Sequence, residues 1–263
     1  MDFENLFNDS ISYTRETFAG HWDRWLILVL LGLPFSLVRF VLDPEKLVTG
    51  ATIHWELVPW GSIAALAIAG VLASFFISGY MVRIYRVMKP APDFTGWASL
   101  FLDGIRLDIV MIVWFLPALI VLLAELAIGL GMLAPSGFTA ASVLIGLMIL
   151  LIPVEVILLL IAFLFMILGA VRFARTGRMA EGWRFSAILG MIRRIGWGRY
   201  IIALVLYVVA AVLYSILISL PAVIPYVGWI VPVALAPFLT IFAARYFTLI
   251  YEAGAEPAAV PPV

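Results

Sequence analysis

The feature that most constrains the fold is the stretch from Ala140 to Arg199. It begins with an almost unbroken apolar run, Ala140–Val171, and continues into a strongly basic segment. An apolar run of about 20 residues is enough to cross a bilayer, and Lys and Arg collect on its cytoplasmic side. The stretch therefore predicts both a membrane crossing and its direction. The basic residues of the segment are Arg172, Arg175, Arg178, Arg184, Arg193, Arg194 and Arg199.

The composition of the whole chain agrees with residence in lipid. Hydrophobic residues make up 65% of the 263 residues and charged residues 12%, against the roughly 45–50% apolar content of soluble domains. Sixteen basic and sixteen acidic residues cancel, so we expect no nucleic-acid partner. The absence of cysteine excludes disulfides and cysteine-based metal sites. The two histidines, His21 and His54, fall on opposite predicted sides of the membrane, and we expect no cofactor.

Apolar runs along the chain predict an all-α, polytopic transmembrane helical bundle with six spans. We predict one domain over residues 1–252 and a disordered tail over 253–263. The fourth run is longer than a bilayer core and contains Pro153, so it must tilt, kink or project beyond the membrane. A hairpin turning at Pro153 would leave its first half too short to span. The predicted spans are residues 25–42, 60–82, 109–133, 140–172, 200–218 and 229–251.

Two further segments have the pattern of amphipathic surface helices. Residues 2–20 place apolar side chains among polar ones at helical spacing, which indicates a helix on the membrane surface or, alternatively, a polar tail. Residues 93–108 show a similar pattern after the break Pro90-Ala91-Pro92. In the second span, Gly70, Ser74 and Ser78 form a small-residue stripe, which predicts a close helix contact.

The distribution of basic residues predicts the orientation of the chain. With the amino terminus inside, fourteen of the sixteen Lys and Arg residues fall on the cytoplasmic side, and Arg39 and Lys46 fall outside. Such an asymmetry sets membrane topology. We therefore predict a multi-pass protein of the cell membrane with both termini in the cytoplasm.

Two junctions in the chain are alike. Gly79–Arg86 is followed by Trp97 and later Arg106, and Gly169–Arg175 is followed by Trp183 and later Arg193. In each, a span ends at an arginine pair, an aromatic-bearing segment follows, and a new span begins. Two interpretations stay open: the halves are parallel repeats, or the cytoplasmic ends of membrane helices share a composition.

These junctions also carry a family resemblance. Gly79–Arg86, Pro90-Ala91-Pro92-Asp93, Gly96-Trp97 and Phe101-Leu-Asp103-Gly104 resemble the archaeal multi-pass membrane family known as domain of unknown function 4013. The later region, with Gly182-Trp183 and Gly196-Trp197-Gly198-Arg199-Tyr200, is similar to the second half of that family. The resemblance implies an archaeal cell-membrane protein and assigns no activity or functional residue.

Glu125 and Glu155 are the acidic residues inside predicted spans and are the candidates for an intramembrane polar site. A carboxylate in hydrocarbon is costly unless it is paired, protonated or hydrated. Glu125 and Arg39 fall at similar predicted depth, so they can form an ion pair that serves packing. Glu155 adjoins Pro153 and is either a neutral acid hydrogen-bonded to a free carbonyl or a proton or ligand site.

The basic segment suggests the leading functional hypothesis. Its arginines either contact anionic lipid headgroups or serve to orient the chain, and the candidate lipid contacts are Arg172, Arg175, Arg193, Arg194 and Arg199. The chain carries none of the phosphate-binding, zinc-protease or nucleophile motifs of enzymes. We predict a non-enzymatic scaffold or lipid-interacting protein whose partners are membrane lipids; the alternative is a small transporter or channel around Glu155. Homo-oligomers and other membrane-protein partners both stay open.

Overall fold

The computed structural model describes residues 2–42, 48–49, 52–87, 89–132, 138–224 and 228–255. Within them the fold is helical, apart from a short antiparallel hairpin of β1 (Val48–Thr49) and β2 (Thr52–Ile53). The helices are α1 (Phe3–Phe18), α2 (Trp22–Val41), α3 (Trp60–Arg86), α4 (Trp97–Met132), α5 (Phe138–Thr176), α6 (Met179–Gly182), α7 (Phe185–Ile195), α8 (Trp197–Ser219) and α9 (Ile230–Gly254).

Six of these helices, α2, α3, α4, α5, α8 and α9, are long and apolar enough to cross a bilayer. The prediction of an all-α bundle with six spans is therefore confirmed. Local signals fix several helix ends. The side chain of Asp2 caps α1 by accepting a hydrogen bond from the backbone N–H of Glu4 at 3.0 Å. Gly177 and Gly196, which precede α6 and α8, adopt the left-handed conformation with φ of 69° and 90°.

The structure corrects the predicted break before the third span. Residues 93–108 were expected to form a surface helix separate from a span at 109–133, but one continuous helix, α4, runs from Trp97 to Met132. Asp103 and Arg106, which the pattern places on the polar side of the predicted surface helix, are an i,i+3 pair with 3.5 Å between Arg106 Nη1 and Asp103 Oδ1. Asp103 is buried whereas Arg106 is exposed, and the helix continues past both residues without a turn.

The fourth span is one helix that passes through Pro153, so a hairpin turning at that residue is excluded. The 39 residues of α5 extend for about 58 Å at 1.5 Å per residue. A bilayer core is about 30 Å thick. A large part of α5 therefore has to tilt within the bilayer or extend beyond it.

The break between the last two spans is also as predicted. A short 3₁₀ helix, Leu220–Val223, follows α8, and α9 begins at Ile230. The predicted disordered tail begins inside the last turn of α9, which ends at Gly254. Residues 256–263 of that tail lie outside the described residues.

The fold divides into two compact units. The first comprises Met1–Arg106 and Met191–Val263, and the second comprises Leu107–Gly190. A single domain over residues 1–252 would require the two units to be joined into one, so the single domain stays a prediction.

In the first unit, α1 packs against α9 and α2, and α2 packs against α3. The helix predicted over residues 2–20 is confirmed as α1, and its buried face combines Leu6, Tyr13 and Phe18 with three hydroxyl residues. Ser10, Thr14 and Thr17 face the core, and each hydroxyl donates to the carbonyl four residues earlier, at 2.6–2.7 Å. The largest fully buried side chains of this unit include Tyr13, Tyr80, Ile84, Tyr200, Ile241 and Tyr246.

Glycines allow two close helix contacts in this unit. A Cβ atom added at Gly70 in α3 would lie 2.8 Å from Cε1 of Phe35 in α2, so the predicted packing role is confirmed at this position. Farther along α3, a Cβ atom at Gly79 would overlap the carbonyl oxygen of Leu100 in α4. The backbones of α3 and α4 are therefore in contact where these two helices cross.

In the second unit, indole donors join α4 to α6 and the residue after it. Trp114 donates from Nε1 to the carbonyl of Gly182 at 3.0 Å, and Trp183 donates to the carbonyl of Val110 at 3.2 Å. The Trp114 ring also stacks on Phe165 of α5, with 5.5 Å between ring centroids. These contacts fix the short helix α6 against the two long helices.

Replacing Gly79 with alanine should destabilise the first unit. The new methyl group meets a backbone carbonyl that no rotamer change can move, and overpacking of this kind costs about 1–3 kcal/mol. We expect a lower thermal unfolding midpoint for the purified protein in detergent. Gly61→Ala, in the same helix with nothing within 4 Å of the added atom, is the control. Equal midpoints for the two variants would contradict the close crossing.

Candidate functional site

An ion triad lies where α3 ends in the first unit. Arg86 Nη1 is 2.6 Å from Asp103 Oδ2, and Arg106 Nη1 is 3.5 Å from Asp103 Oδ1. Asp103 is buried. One carboxylate thus contacts two arginines, one from the end of the preceding helix and one from the next turn of its own helix.

The second unit contains a triad of the same design where α5 ends. Arg172 donates from Nε to Glu181 Oε2 at 2.9 Å and also contacts that oxygen through Nη2. Arg184 donates from Nη1 to Glu181 Oε1 at 3.2 Å. The hydrogen bond from Arg172 is the main reason that the pKa of the Glu181 carboxyl lies below its ordinary value.

The two triads resemble each other in their contacts. In both, an arginine at the end of a long helix contacts an acid farther along, and a second arginine three residues after the acid contacts it as well. The first arginine is not at equivalent positions of the sequence echo, and its acid follows after 17 residues in one triad and 9 in the other. Both interpretations of the echo therefore stay open.

An ionic cluster around two buried arginines in the first unit has no counterpart in the sequence predictions. The side chain of Arg245 in α9 is 4% exposed, and its Nε donates to Asp9 Oδ1 of α1 at 2.8 Å. Its guanidinium lies 5.2 Å from the centroid of the Tyr13 ring. Lys89 Nζ is 3.5 Å from the other oxygen of Asp9. The Arg245 hydrogen bond is the main cause that lowers the pKa of Asp9.

Arg24 is the second buried arginine of this cluster. Its side chain is 8% exposed, Nη2 is 2.5 Å from Asp93 Oδ1, and Nη1 donates to the carbonyl of Thr17 at 3.3 Å. The Arg24 hydrogen bond also lowers the pKa of Asp93. These contacts join α1, α2 and the segment before α4. The partners Asp9 and Arg245 are 236 residues apart, so no local pattern could have revealed them.

The predicted intramembrane acids both lie in the second unit. Glu125 in α4 and Glu155 in α5 are half-buried. Glu125 Oε1 and Glu155 Oε2 are buried oxygens that have no hydrogen-bond partner among the described residues. Arg39 lies in the first unit, where its guanidinium is 5.6 Å from the Phe40 ring centroid. Because Arg39 and Glu125 belong to different units, their ion pair stays a prediction.

The five arginines predicted to contact lipid have different surroundings. Arg172 and Arg175 are half-buried, whereas Arg193, Arg194 and Arg199 are exposed. Arg194 donates from Nε to the carbonyl of Gly254 at 2.8 Å. Within the described part of the chain, Arg193 and Arg199 make no polar side-chain contact. The opposite face of α7 is buried through Ile188, Met191, Ile192 and Ile195.

An apolar groove of about 520 Å³ lies in the first unit between α1, α8 and α9. We call it the α1 groove. Its lining is apolar apart from a few polar side chains, among them Arg15 and Thr14. Trp22, at the start of α2, also lines it and is 70% exposed.

A second cavity, of about 370 Å³, lies between α2, α3 and α9. Its polar side chains include Ser36 and Thr240. Ser36 donates to the carbonyl of Leu33 at 2.8 Å, and Thr240 donates to that of Ala236 at 3.3 Å. Among the described residues, no group of three histidines or acids is placed to hold a metal ion.

Replacing Asp9 with asparagine should destabilise the first unit, because it leaves the buried Arg245 guanidinium without its carboxylate. Loss of a charge-assisted contact to a buried ion costs about 2–3 kcal/mol, which should appear as a lower thermal midpoint at pH 7. Glu16→Gln, on the exposed side of the same helix, is the control. Equal midpoints for both variants would contradict a stabilising pair.

The same variant tests the lowered pKa of Asp9. A carboxyl with a depressed pKa contributes its stability above the ordinary value of 3.8 and loses it as pH falls through the lower folded value. The difference in thermal midpoint between the natural chain and Asp9→Asn should therefore shrink as pH falls below about 4. A difference that stays constant from pH 7 to pH 3 would contradict this assignment.

Comparison with known proteins identifies the family. A family model described as protein of unknown function (DUF4013) matches residues 62–227. No curated protein and no solved structure matches the chain. The archaeal origin that the resemblance implied stays a prediction. Since the matched residues cover more than half of the 263-residue chain and six helices can cross a bilayer, this multi-pass membrane protein belongs to the DUF4013 family.

Proposed function

We propose that the chain is a non-enzymatic protein of the cell membrane that binds anionic lipid on the exposed face of α7 and the first turn of α8. The observation that carries this proposal is the state of Arg193 and Arg199. Both side chains are exposed and make no polar contact with the described residues, while the apolar face of α7 is buried. Charges that the fold does not use are available to a headgroup.

Several other arginines of the basic segment are less available to a lipid phosphate. Arg172 and Arg184 both contact Glu181, so a lipid phosphate at that position would have to displace a carboxylate. Arg194 is exposed, although its Nε is engaged by Gly254. Of the five candidate contacts, we therefore assign the primary role to Arg193 and Arg199.

Interfacial anchoring supports the same surface. Trp197 begins α8, lies between the two arginines in sequence and is 40% exposed. Tryptophan is enriched at the level of lipid headgroups, and each basic residue near an anionic leaflet contributes about 1 kcal/mol to binding. We further propose that both termini are cytoplasmic, which places this surface at the leaflet that carries most anionic lipid.

The double variant Arg193→Gln/Arg199→Gln should bind anionic lipid more weakly. Loss of two contributions of about 1 kcal/mol each corresponds to a dissociation constant about 30-fold higher. Native mass spectrometry of the purified protein, titrated with dioleoylphosphatidylglycerol, measures this constant. Arg39→Gln, which removes the same charge at the opposite predicted side, should leave it unchanged. Equal effects of both changes, or no effect of either, would overturn the proposal.

A second candidate function, a small transporter, rests on Glu155. Its Oε2 is a buried atom with no hydrogen-bond partner in the part of the chain that the structure describes, and an acid in apolar surroundings can carry a proton across a membrane. A transporter of this kind should conduct protons in liposomes, measured with an internal pH dye, and Glu155→Gln should abolish that flux at an unchanged thermal midpoint. If the natural chain shows no flux, the transporter hypothesis is wrong.

A further inference from the structure

The α1 groove lies beside the part of α1 that the core does not cover. The buried face of the helix carries Leu6, Tyr13 and Phe18 together with three hydroxyl residues whose oxygens donate to backbone carbonyls. Phe7 and Ile11 line the groove; Phe7 is half-buried against Phe242 and Tyr246, whereas Ile11 is 55% exposed. An apolar occupant of the groove would cover this exposed side chain.

The remaining walls are also apolar. α9 contributes Phe238 and Phe242, and α8 contributes Ala210 and Tyr214. The volume of about 520 Å³ lies within the range of roughly 300–1,000 Å³ that is typical of sites for small ligands. The shape and lining therefore fit a hydrocarbon chain.

The charge at the groove specifies the polar end of the occupant. Arg15 carries the formal charge of the lining. Its side chain is exposed and makes no polar contact with the described residues. Trp22, also in the lining, is 70% exposed, as is common for tryptophan at the level of headgroups. An uncompensated guanidinium at the edge of an apolar groove is complementary to a phosphate attached to hydrocarbon.

We propose that the α1 groove is a specific site for one anionic phospholipid, with an acyl chain along Phe7, Ile11 and Ala210 and the phosphate at Arg15. This inference rests on the proposed function, since both require that the protein binds anionic lipid. It adds a second site whose lining contains none of Arg193, Trp197 and Arg199.

The test fills the groove in a protein whose other site is already removed. In the Arg193→Gln/Arg199→Gln background, we add Ala210→Phe and titrate with dioleoylphosphatidylglycerol by native mass spectrometry. The control adds Val209→Phe, the neighbouring position on α8, which is 49% exposed and does not line the groove. We expect the control to retain one tightly bound lipid and Ala210→Phe to lose it.

Arg15→Gln in the same background tests the headgroup. It should raise the dissociation constant for dioleoylphosphatidylglycerol about fivefold, which corresponds to about 1 kcal/mol, and raise that for dioleoylphosphatidylcholine less, because the choline cation offsets the phosphate charge. No change for either lipid would show a hydrocarbon site without a headgroup contact and would overturn the role of Arg15. An equal rise for both lipids would overturn the selection of an anionic lipid. Equal lipid binding by Ala210→Phe and Val209→Phe would overturn the groove site.

A third variant covers the case in which Ala210→Phe fails to fold. The natural chain has no cysteine, so Ile11→Cys reports on the groove alone. Bound dioleoylphosphatidylglycerol should slow its reaction with N-ethylmaleimide, and an unchanged rate would overturn the groove site. Failure of the proposed function can be distinguished from failure of the groove site. In that case, Arg193→Gln/Arg199→Gln in the otherwise natural chain would leave lipid binding unchanged.

Discussion

Two of the long apolar helices, α3 and α5, end in arginines whose charges the fold must accommodate. A guanidinium cannot lose its charge, so it either faces water or a headgroup, or it meets a carboxylate. Several arginines here contact a carboxylate, in the triads around Asp103 and Glu181 and in the pairs Asp9–Arg245 and Arg24–Asp93. They determine which helix can lie against which, because removing one partner strands a buried charge.

The arginines therefore have two roles. Those paired with acids hold helix ends together, and those left exposed, such as Arg15, Arg193 and Arg199, define the surfaces that can meet phosphate. Counting basic residues in the sequence does not separate the roles, since Arg172 and Arg193 belong to the same basic segment. The acid that distinguishes them, Glu181, is recognised as a partner once the turn between α5 and α6 is known.

The sequence predicts what depends on local composition. Six spans follow from apolar runs, and the break after α8 agrees with the gap between the predicted spans 200–218 and 229–251. The continuity of α4 was missed because Asp103 and Arg106 resemble the polar face of a surface helix until their pairing is seen. Asp9 and Arg245 were missed because they lie at opposite ends of the chain. The α1 groove depends on which face of α1 is buried, and here hydroxyls bonded to the backbone are buried while part of the apolar face is not.

The most direct test concerns the claim that six spans keep the arginine-rich helix ends on the cytoplasmic side. Because the natural chain lacks cysteine, single cysteines at Glu16, Glu56, Arg178 and Ile224 can be labelled in intact cells with a membrane-impermeant maleimide. We predict that Glu56→Cys and Ile224→Cys react in intact cells, whereas Glu16→Cys and Arg178→Cys react after lysis alone. Reaction of Arg178→Cys in intact cells, or protection of Glu56→Cys, would contradict the account.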